Sequence, residues 1–318
     1  GMSKKNKFET NAIHIGNEPD LSTGSISPPI HLTSTYVQEG IGKNKGYDYS
    51  RGNNPTRQRL EQNIASLEGG YDAVAFSSGM AATTALFQDL NQGDHVIISR
   101  NVYGGTYRMT TKVLSNHGLQ FDFVDTTDVQ NIKKAIKKNT KWIFVETPTN
   151  PMLEITDIAA VSELCKKHNL LFAVDNTFMS PYGQRPIEQG ADCVMHSSTK
   201  FIGGHSDVLG GILVAKNKDL AEKLHFIQKS GGAIPSPFDA WLLLRSVKTM
   251  AMRVQKASDN AMVLAKYFDG HAKIVKTIYP GLDSHPEKKI AQKQQQSPNG
   301  DIVYGSMVSL VFESKLEL

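Results

Sequence analysis

The stretch that decides the fold is ADCVMHSSTKFIGGHSD, residues 191–207. Its first six residues predict a short buried strand, and three small hydroxyl residues then lead to Lys200 and the glycine pair at 203–204. An amine at the carboxyl end of a buried strand is either a solvated surface lysine or a functional group. Because the chain has 35 lysines and arginines, the first interpretation is the ordinary one. The choice therefore depends on the neighbouring strands.

Short apolar segments alternate with helical patterns on both sides of this stretch. Strands are predicted at 73–76, 95–99, 121–125, 142–146, 170–175, 191–196 and 211–215. The segments between most of them have apolar residues at helical spacing. A helix that ends at the glycine pair 69–70 is predicted before the first strand, and a long helix is predicted over 240–270. This alternation predicts an α/β fold with a mostly parallel sheet and helices on both faces. In such sheets ligands bind at the carboxyl ends of the strands, so a site is expected there.

Composition and charge exclude several classes of function. The chain has 39% hydrophobic and 21% charged residues, and its net charge of +4 is spread out, so no nucleic-acid partner is predicted. Cys165 and Cys193 lie apart from any Cys/His cluster, so neither a disulfide framework nor a metal site is expected. No segment approaches the roughly 18 apolar residues of a membrane span. The sequence thus predicts a cytoplasmic protein without a membrane partner.

Two of the predicted strands run into turns that could bind a ligand. Strand 73–76 is followed by SSGMAA (77–82), a small-residue turn that opens a helix and could bind phosphate through free N–H groups. A plain tight turn is the alternative. Strand 95–99 is followed by Tyr103 and a glycine pair, where the ring could stack on a flat ligand or pack into the core.

Two further strands end in acids. Strand 142–146 runs into ETPTNP (146–151), which places Glu146 and Asn150 on a loop with two prolines; ligand binding and turn formation both remain open for Asn150. In strand 170–175, five apolar residues lead directly to Asp175. A buried carboxylate is costly without a cationic partner, so we interpret Asp175 as functional rather than as part of a structural ion pair.

One cofactor accounts for all of these residue types. Pyridoxal phosphate requires a lysine for a Schiff base, an acid at the ring nitrogen, an aromatic ring stacked on it and a phosphate site. Lys200, Asp175 and Tyr103 fit the first three, and Lys200 could also act as general base. The phosphate would be bound by hydroxyl and N–H groups of Ser197, Thr199, Gly79 and Met80. The absence of a glycine-rich dinucleotide motif disfavours a NAD-linked oxidoreductase.

The chain resembles the Cys/Met-metabolism family of pyridoxal-phosphate-dependent enzymes, the trans-sulfuration enzymes. That family includes cystathionine γ-lyase, cystathionine γ-synthase, cystathionine β-lyase and methionine γ-lyase. The matching segments occur in the family's order: YDYSRGNNPT (47–56), SSGMAA (77–82), VYGGTY (102–107), ETPTNP (146–151), VDNTF (174–178), HSSTKFIGGHSD (196–207) and YPGL (279–282). The resemblance implies a type I aminotransferase-like fold, an amino-acid substrate and a homotetramer of active-site dimers.

The resemblance also implies a role for each matching residue. Lys200 would hold the cofactor, Asp175 would bind its pyridine nitrogen, and Tyr103 would stack on the ring and assist the leaving group. Asn150 would lie on the ring-hydroxyl side. The phosphate would be contacted by Gly79, Met80, Ser197 and Thr199. The phosphate bound by a neighbouring subunit would be contacted by Tyr49 and Arg51. The substrate would be contacted by Asp48 and Arg108.

Three domains are predicted. Residues 1–55 form an extended N-terminal arm that contacts a neighbouring subunit, residues 56–245 form the large cofactor-binding domain, and residues 246–318 begin a smaller C-terminal α/β domain. Because family members continue past Leu318, we expect that domain to be incomplete and the arginine for the substrate carboxylate to lie beyond it. The family's SRSGNPT reads SRGNNPT at 50–56, which changes the loop after Arg51.

Several reactions remain open within the family. Segments 174–186 and 231–241 resemble cystathionine γ-lyase, which converts cystathionine to cysteine, 2-oxobutanoate and ammonia. Segments 28–36, 47–51 and 241–245 equally resemble γ-synthase, which joins an O-acylhomoserine to cysteine. We expect the γ-lyase, with γ-synthase as the alternative and β-lyase or methionine γ-lyase after it. A cofactor-binding but inactive chain is the alternative of a different class.

Overall fold

A computed structural model of the protein describes residues 7–313. Within them two compact units are found, one formed by residues up to Asn91 together with Asp192–Ala251, the other by Gln92–Ala191 together with the residues from Met252 onward. Each unit is described by itself. The division into an arm, a large domain and a smaller C-terminal domain stays a prediction from the sequence.

Seven of the strands form one sheet and two form a small separate one. Across the described residues the strands are β1 (Asp72–Phe76), β2 (His95–Ser99), β3 (Gln120–Val124), β4 (Thr140–Glu146), β5 (Leu171–Asp175), β6 (Cys193–Ser197), β7 (Gly211–Ala215), β8 (Lys276–Ile278) and β9 (Ser309–Val311).

Helices separate most of these strands. They are α1 (Phe8–His14), α2 (Pro55–Glu68), α3 (Gly79–Gln88), α4 (Gly104–Lys112), α5 (Val129–Ala135), α6 (Ile158–Lys167), α7 (Ser180–Gly183), α8 (Lys218–Gly231), α9 (Pro237–Ser246), α10 (Met250–Phe268) and α11 (Lys288–Gln294). Short 3₁₀ turns occur at Leu114–His117, Pro186–Gln189 and Val247–Thr249. No helix between residues 7 and 313 is long and apolar enough to cross a membrane.

In the first unit the strand order is β1-β7-β6, and both pairings are antiparallel. Helix α3 packs on β6 and β7, while α2 and α8 pack on β1. The ends of α2 show why the sequence forms a helix there: the Asn54 side chain accepts a hydrogen bond from the Thr56 N–H, and Gly69 ends the helix in the left-handed conformation. The predicted helix stop at the glycine pair 69–70 is therefore confirmed.

In the second unit the order is β5-β4-β2-β3, and every pairing is parallel. Strands β2, β4 and β5 are short, apolar and largely buried, with Ile97, Ile143 and Phe172 at 0% exposure, whereas the edge strand β3 is partly exposed. Helix α6 places Ile158, Val161 and other apolar residues on the same core cluster. This is the burial expected of a parallel sheet covered by helices.

The predicted α/β class with a mostly parallel sheet is confirmed. Two details differ from the sequence-based expectation. Part of the predicted extended arm is helical, because Phe8 and Ala12, four residues apart, bury one face of α1. The continuous helix expected over 240–270 is interrupted by the 3₁₀ turn at Val247–Thr249.

Candidate active site

The turn after β6 presents Lys200 on the surface of the first unit. The Lys200 side chain is exposed, while its carbonyl accepts a hydrogen bond from the Gly204 N–H at 2.7 Å. A Cβ on Gly203 would lie 2.9 Å from the Ser198 carbonyl oxygen, so this position requires glycine. The glycines after Lys200 therefore allow a tight turn that holds the backbone while the amine stays accessible.

Ser197 lies against the start of α3. A Cβ on Gly79 would lie 2.9 Å from Ser197 Cβ and 3.1 Å from its Oγ, so only glycine allows this approach. The Ser78 side chain accepts a hydrogen bond from the Ala81 N–H and caps the helix, and Met80 follows Gly79 in its first turn. The structure thus brings Ser197 to a helix N-terminus, where N–H groups and the helix dipole favour an anion.

The hydroxyl of Thr199 is engaged with the backbone of Gly210. It accepts a hydrogen bond from the Gly210 N–H at 3.2 Å and lies 3.4 Å from the Gly210 carbonyl oxygen. These contacts fix the Thr199 side chain beside β7, which starts at Gly211. Thr199 directly precedes Lys200, so these hydrogen bonds also hold the backbone that leads into the lysine.

The segment around Arg51 is braced by its own chain. The Arg51 guanidinium lies 5.3 Å from the centre of the Tyr49 ring and donates a hydrogen bond to the Lys229 carbonyl. Arg57, which is 2% exposed, donates to the carbonyls of Ser50 and Arg51 at 2.8 and 3.2 Å. Asp48 accepts from the Tyr49 N–H and is exposed. Arg57 was not predicted as a site residue; the available signal was an arginine in the first turn of a helix, directly after the glycine–asparagine loop at 52–54.

Asp175 and Glu146 end two neighbouring strands of the second unit and are register partners across β4 and β5. Asp175 is 7% exposed, and its Oδ1 accepts hydrogen bonds from the Thr177 N–H at 3.1 Å and the Thr177 hydroxyl at 2.5 Å. Burial, reinforced by the adjacent Asp175, raises the pKa of Glu146 to about 8. Glu146 thus ionises less readily than an ordinary glutamate.

Tyr103 is connected to the same pair of acids. Its N–H donates to Glu146 Oε2 at 2.7 Å, and the residue as a whole is 54% exposed, directly before α4. From the sequence, Glu146 was predicted only to lie at a strand end. The signal for its pairing was available, because two consecutive apolar strands both end in an acid. The exposed ring of Tyr103 excludes the core-packing interpretation.

Asn150 and Arg108 complete the predicted residues of this unit. Asn150 is exposed on the loop after β4, and its backbone N–H donates a hydrogen bond to Glu146. Arg108 lies on the exposed face of α4. Cys165 and Cys193 are both buried. Over the described part of the chain, no group of three or more His, Cys, Asp or Glu side chains is arranged to hold a metal ion.

The residues of each unit fit parts of pyridoxal phosphate. In the first unit, the close approach of Ser197 to Gly79 places a hydroxyl group beside the N–H groups at the start of α3, a combination that suits a phosphate. An exposed amine follows at Lys200. In the second unit, a buried carboxylate at Asp175 suits a cationic ring nitrogen, and the exposed Tyr103 ring suits a flat partner.

The chain belongs to the Cys/Met metabolism family of pyridoxal-phosphate-dependent enzymes, whose family model matches residues 9–317. Pyridoxal phosphate is therefore its cofactor, and the protein is an enzyme of the trans-sulfuration class. The resemblance found in the sequence is confirmed at the level of the family.

Named relatives carry different activities. The chain is 47% identical to the probable cystathionine gamma-synthase of Herpetosiphon aurantiacus, over 98% of this chain and 95% of that protein. It is 46% identical to the cystathionine gamma-lyase of Bacillus subtilis (95% and 78% covered). It is 44% identical to the cystathionine beta-lyase of Coxiella burnetii (99% and 80% covered). Identity alone does not separate the three reactions.

Solved structures confirm the type I aminotransferase-like fold of this family. The crystal structure of metB from Corynebacterium glutamicum matches with a TM-score of 0.93 and 46% identity, covering 96% of this chain and 79% of that one. Cystathionine gamma-lyase from Lactobacillus plantarum, complexed with L-serine, matches with a TM-score of 0.93 and 44% identity, covering 97% and 79%.

Proposed function

We propose that the protein is a cystathionine γ-lyase, which cleaves the γ-carbon–sulfur bond of cystathionine to yield cysteine, 2-oxobutanoate and ammonia. The observation that carries this choice is the segment GGAIPSPFDAW (231–241), which resembles the lyases. Its Ala233 carbonyl accepts a hydrogen bond from the Ser77 N–H at 2.9 Å. The lyase-like segment is thereby held against the turn that opens α3.

Lys200 would hold the cofactor covalently through its Nζ and, once released by substrate, would remove the protons of the substrate α- and β-carbons. Its exposed amine and braced backbone suit both tasks. When bound, pyridoxal phosphate supplies the electron-withdrawing ring that stabilises negative charge at the substrate α-carbon. Asp175 would keep the pyridine nitrogen protonated, and Tyr103 would stack on the ring and assist departure of the thiol.

The other predicted residues would bind the two ends of the ligands. Asn150 would contact the ring-hydroxyl side of the cofactor. Asp48 and Arg108, which are both exposed, would face the substrate. The phosphate would be bound by Gly79, Met80, Ser197 and Thr199 of the same chain. Tyr49 and Arg51 would bind the phosphate held by a neighbouring subunit.

This last role requires a homo-oligomer, and we propose a homotetramer of active-site dimers in the cytoplasm. In the single chain the Arg51 guanidinium donates to the Lys229 carbonyl and packs on Tyr49. A planar cation with several donors suits bidentate contact with a phosphate. Sedimentation analysis of the protein with and without Arg51→Ala tests whether this segment supports assembly.

The choice of reaction is tested by product analysis of the whole chain with pyridoxal phosphate. With cystathionine as substrate, γ-elimination releases 2-oxobutanoate and cysteine, whereas β-elimination releases pyruvate and homocysteine. With O-acylhomoserine and cysteine, γ-replacement forms cystathionine. We expect 2-oxobutanoate to be the main product. Predominant cystathionine formation would instead establish γ-synthase, which the resemblance of segment 28–36 and the Herpetosiphon relative favour. Cofactor binding without any turnover would establish the inactive alternative.

The covalent role of Lys200 is tested independently of turnover. Borohydride reduction of the protein with bound pyridoxal phosphate, followed by peptide mass analysis, should place the label on Lys200. Lys216→Ala, which removes an exposed lysine from the same unit, is the matched control and should leave labelling unchanged. Retained labelling of Lys200→Ala at equal yield would contradict the assignment.

A further inference from the structure

The carboxyl end of β4 holds an acid to which no role has yet been given. Glu146 is 6% exposed, and its backbone N–H donates to the Ser99 hydroxyl at 3.1 Å, at the end of the neighbouring β2. The site chemistry proposed above uses Asp175, not Glu146. A buried carboxyl group without a task is costly, so its contacts indicate what it does.

Glu146 connects two loops that carry predicted cofactor ligands. Its Oε2 accepts a hydrogen bond from the Tyr103 N–H at 2.7 Å, at the junction between β2 and α4. It also accepts from the backbone N–H of Asn150, on its own loop. One side chain therefore fixes the backbone positions from which the Tyr103 ring and the Asn150 side chain project.

The electrostatic surroundings favour an uncharged Glu146. Asp175, from β5, is the titratable group that faces it, and the other neighbours are the Ser99 hydroxyl from β2 and the Tyr103 amide. Burial and the charge of Asp175 raise the pKa of Glu146, whereas the two N–H donors partly oppose that rise. Two adjacent buried carboxyl groups do not readily ionise together, so one holds a proton when the other is charged.

We propose that Glu146 is a positioning residue that acts in its protonated form, fixing the Tyr103 and Asn150 loops while Asp175 remains the ionised partner of the cofactor ring. The inference rests on the roles proposed for Tyr103 and Asp175. A charged Glu146 would place a second carboxylate beside Asp175. A protonated Glu146 keeps a carbonyl oxygen that can accept from a backbone N–H group without adding that charge.

The test compares Glu146→Gln with Glu146→Leu. Glutamine keeps a neutral acceptor of the same length, whereas leucine fills the space without an acceptor. Glu163→Gln, on the exposed face of α6, is the matched control. We expect Glu146→Gln to bind pyridoxal phosphate within about threefold of the parent and Glu146→Leu to bind roughly tenfold more weakly, as expected for loss of a buried acceptor.

Two further measurements separate positioning from a purely structural role. In cofactor-free protein, infrared difference spectra between neutral and alkaline pH should show a protonated carboxyl band that Glu146→Gln lacks and Glu163→Gln retains. Cofactor affinity of the parent should fall above about pH 8, and that fall should be smaller in Glu146→Gln. The comparison with Glu146→Gln removes the contribution of other titrating groups.

Equal loss of cofactor affinity in Glu146→Gln and Glu146→Leu would overturn the proposal, as would a carboxyl band that persists in Glu146→Gln. If Glu146→Leu fails to fold, Glu146→Gln and the infrared measurement still decide. A failure of the proposed lyase activity is distinguishable, because it would appear as unchanged cofactor binding with the wrong product.

Discussion

The two units carry opposite kinds of chemistry at their strand ends. In the antiparallel first unit, the strand ends of β1 and β6 present hydroxyl groups, glycines, the N–H groups of a helix start and an amine. In the parallel second unit, the ends of β4 and β5 are acids. The first set suits an anion and the second a cation. Pyridoxal phosphate carries both a phosphate and a ring nitrogen, so each unit offers groups that suit one part of it.

Lys200 is expected to give the largest effect in the first unit. Lys200→Ala removes the amine that holds the cofactor and moves protons, so the rate of 2-oxobutanoate release should fall by about a thousandfold or more. Lys216→Ala should remain close to the parent. Steady-state assay with saturating pyridoxal phosphate measures the loss, and less than a tenfold decrease in Lys200→Ala would contradict the assigned role.

Asp175 is the corresponding group of the second unit. Asp175→Asn keeps the shape of the side chain but removes the charge that would hold the ring nitrogen protonated. We expect a rate decrease of about a hundredfold to a thousandfold, the range seen when one preorganised electrostatic contact is removed. Asp157→Asn is the control, since Asp157 caps α6 and can be replaced by another capping residue. An Asp175→Asn rate near that of the parent would contradict the assignment of a cation-binding role to the strand ends of the second unit.

Glu146 is expected to impose a pH dependence on stability. Its pKa is raised from 4.5 to about 8 in the folded chain, so between these values the folded protein retains a proton that the unfolded chain has lost. Stability should therefore be greatest at low pH and fall as pH rises towards 8, by up to about 1.4 kcal/mol per pH unit. Urea unfolding of the cofactor-free protein should show that Glu146→Gln lacks this component. An identical pH slope in both proteins would refute it.

Gly79 is expected to give the smallest effect. A Cβ at this position meets Ser197 at 2.9 Å, so Gly79→Ala should cost about 1–3 kcal/mol of stability by overpacking and weaken cofactor binding. Gly231→Ala is the matched control, because the nearest atom to its Cβ would be Gln88 Oε1 at 3.9 Å. Thermal unfolding and cofactor titration measure both quantities. Equal stability and equal cofactor affinity of the two variants would show that neither property depends on the close approach of Ser197 to α3.

Much of the fold was predictable because its strands are short, apolar and bounded by turn residues. The segments at 95–99 and 211–215 were predicted with the bounds that the structure shows. Helix α1 was not predicted, since only Phe8 and Ala12 bury one face and its stability depends on packing against α2. The break at Val247–Thr249 lacks a proline or glycine that would mark it.

The candidate site was predictable one residue at a time but not as a set of contacts. Asp175 and Lys200 stand out because a charge follows an apolar run. The hydrogen bond from the Tyr103 N–H to Glu146 joins residues 43 positions apart, and no local pattern encodes it. Likewise, the approach of Gly79 to Ser197 depends on how α3 packs on β6.

The buried Arg57 has a consequence for assembly. Its two hydrogen bonds fix the carbonyls of Ser50 and Arg51 within a single chain. A segment that is already ordered loses less conformational entropy when it meets a partner, so less of the contact energy is spent on ordering it. If Tyr49 and Arg51 contact a neighbouring subunit as proposed, Arg57 would lower the entropic cost of that association from within its own chain.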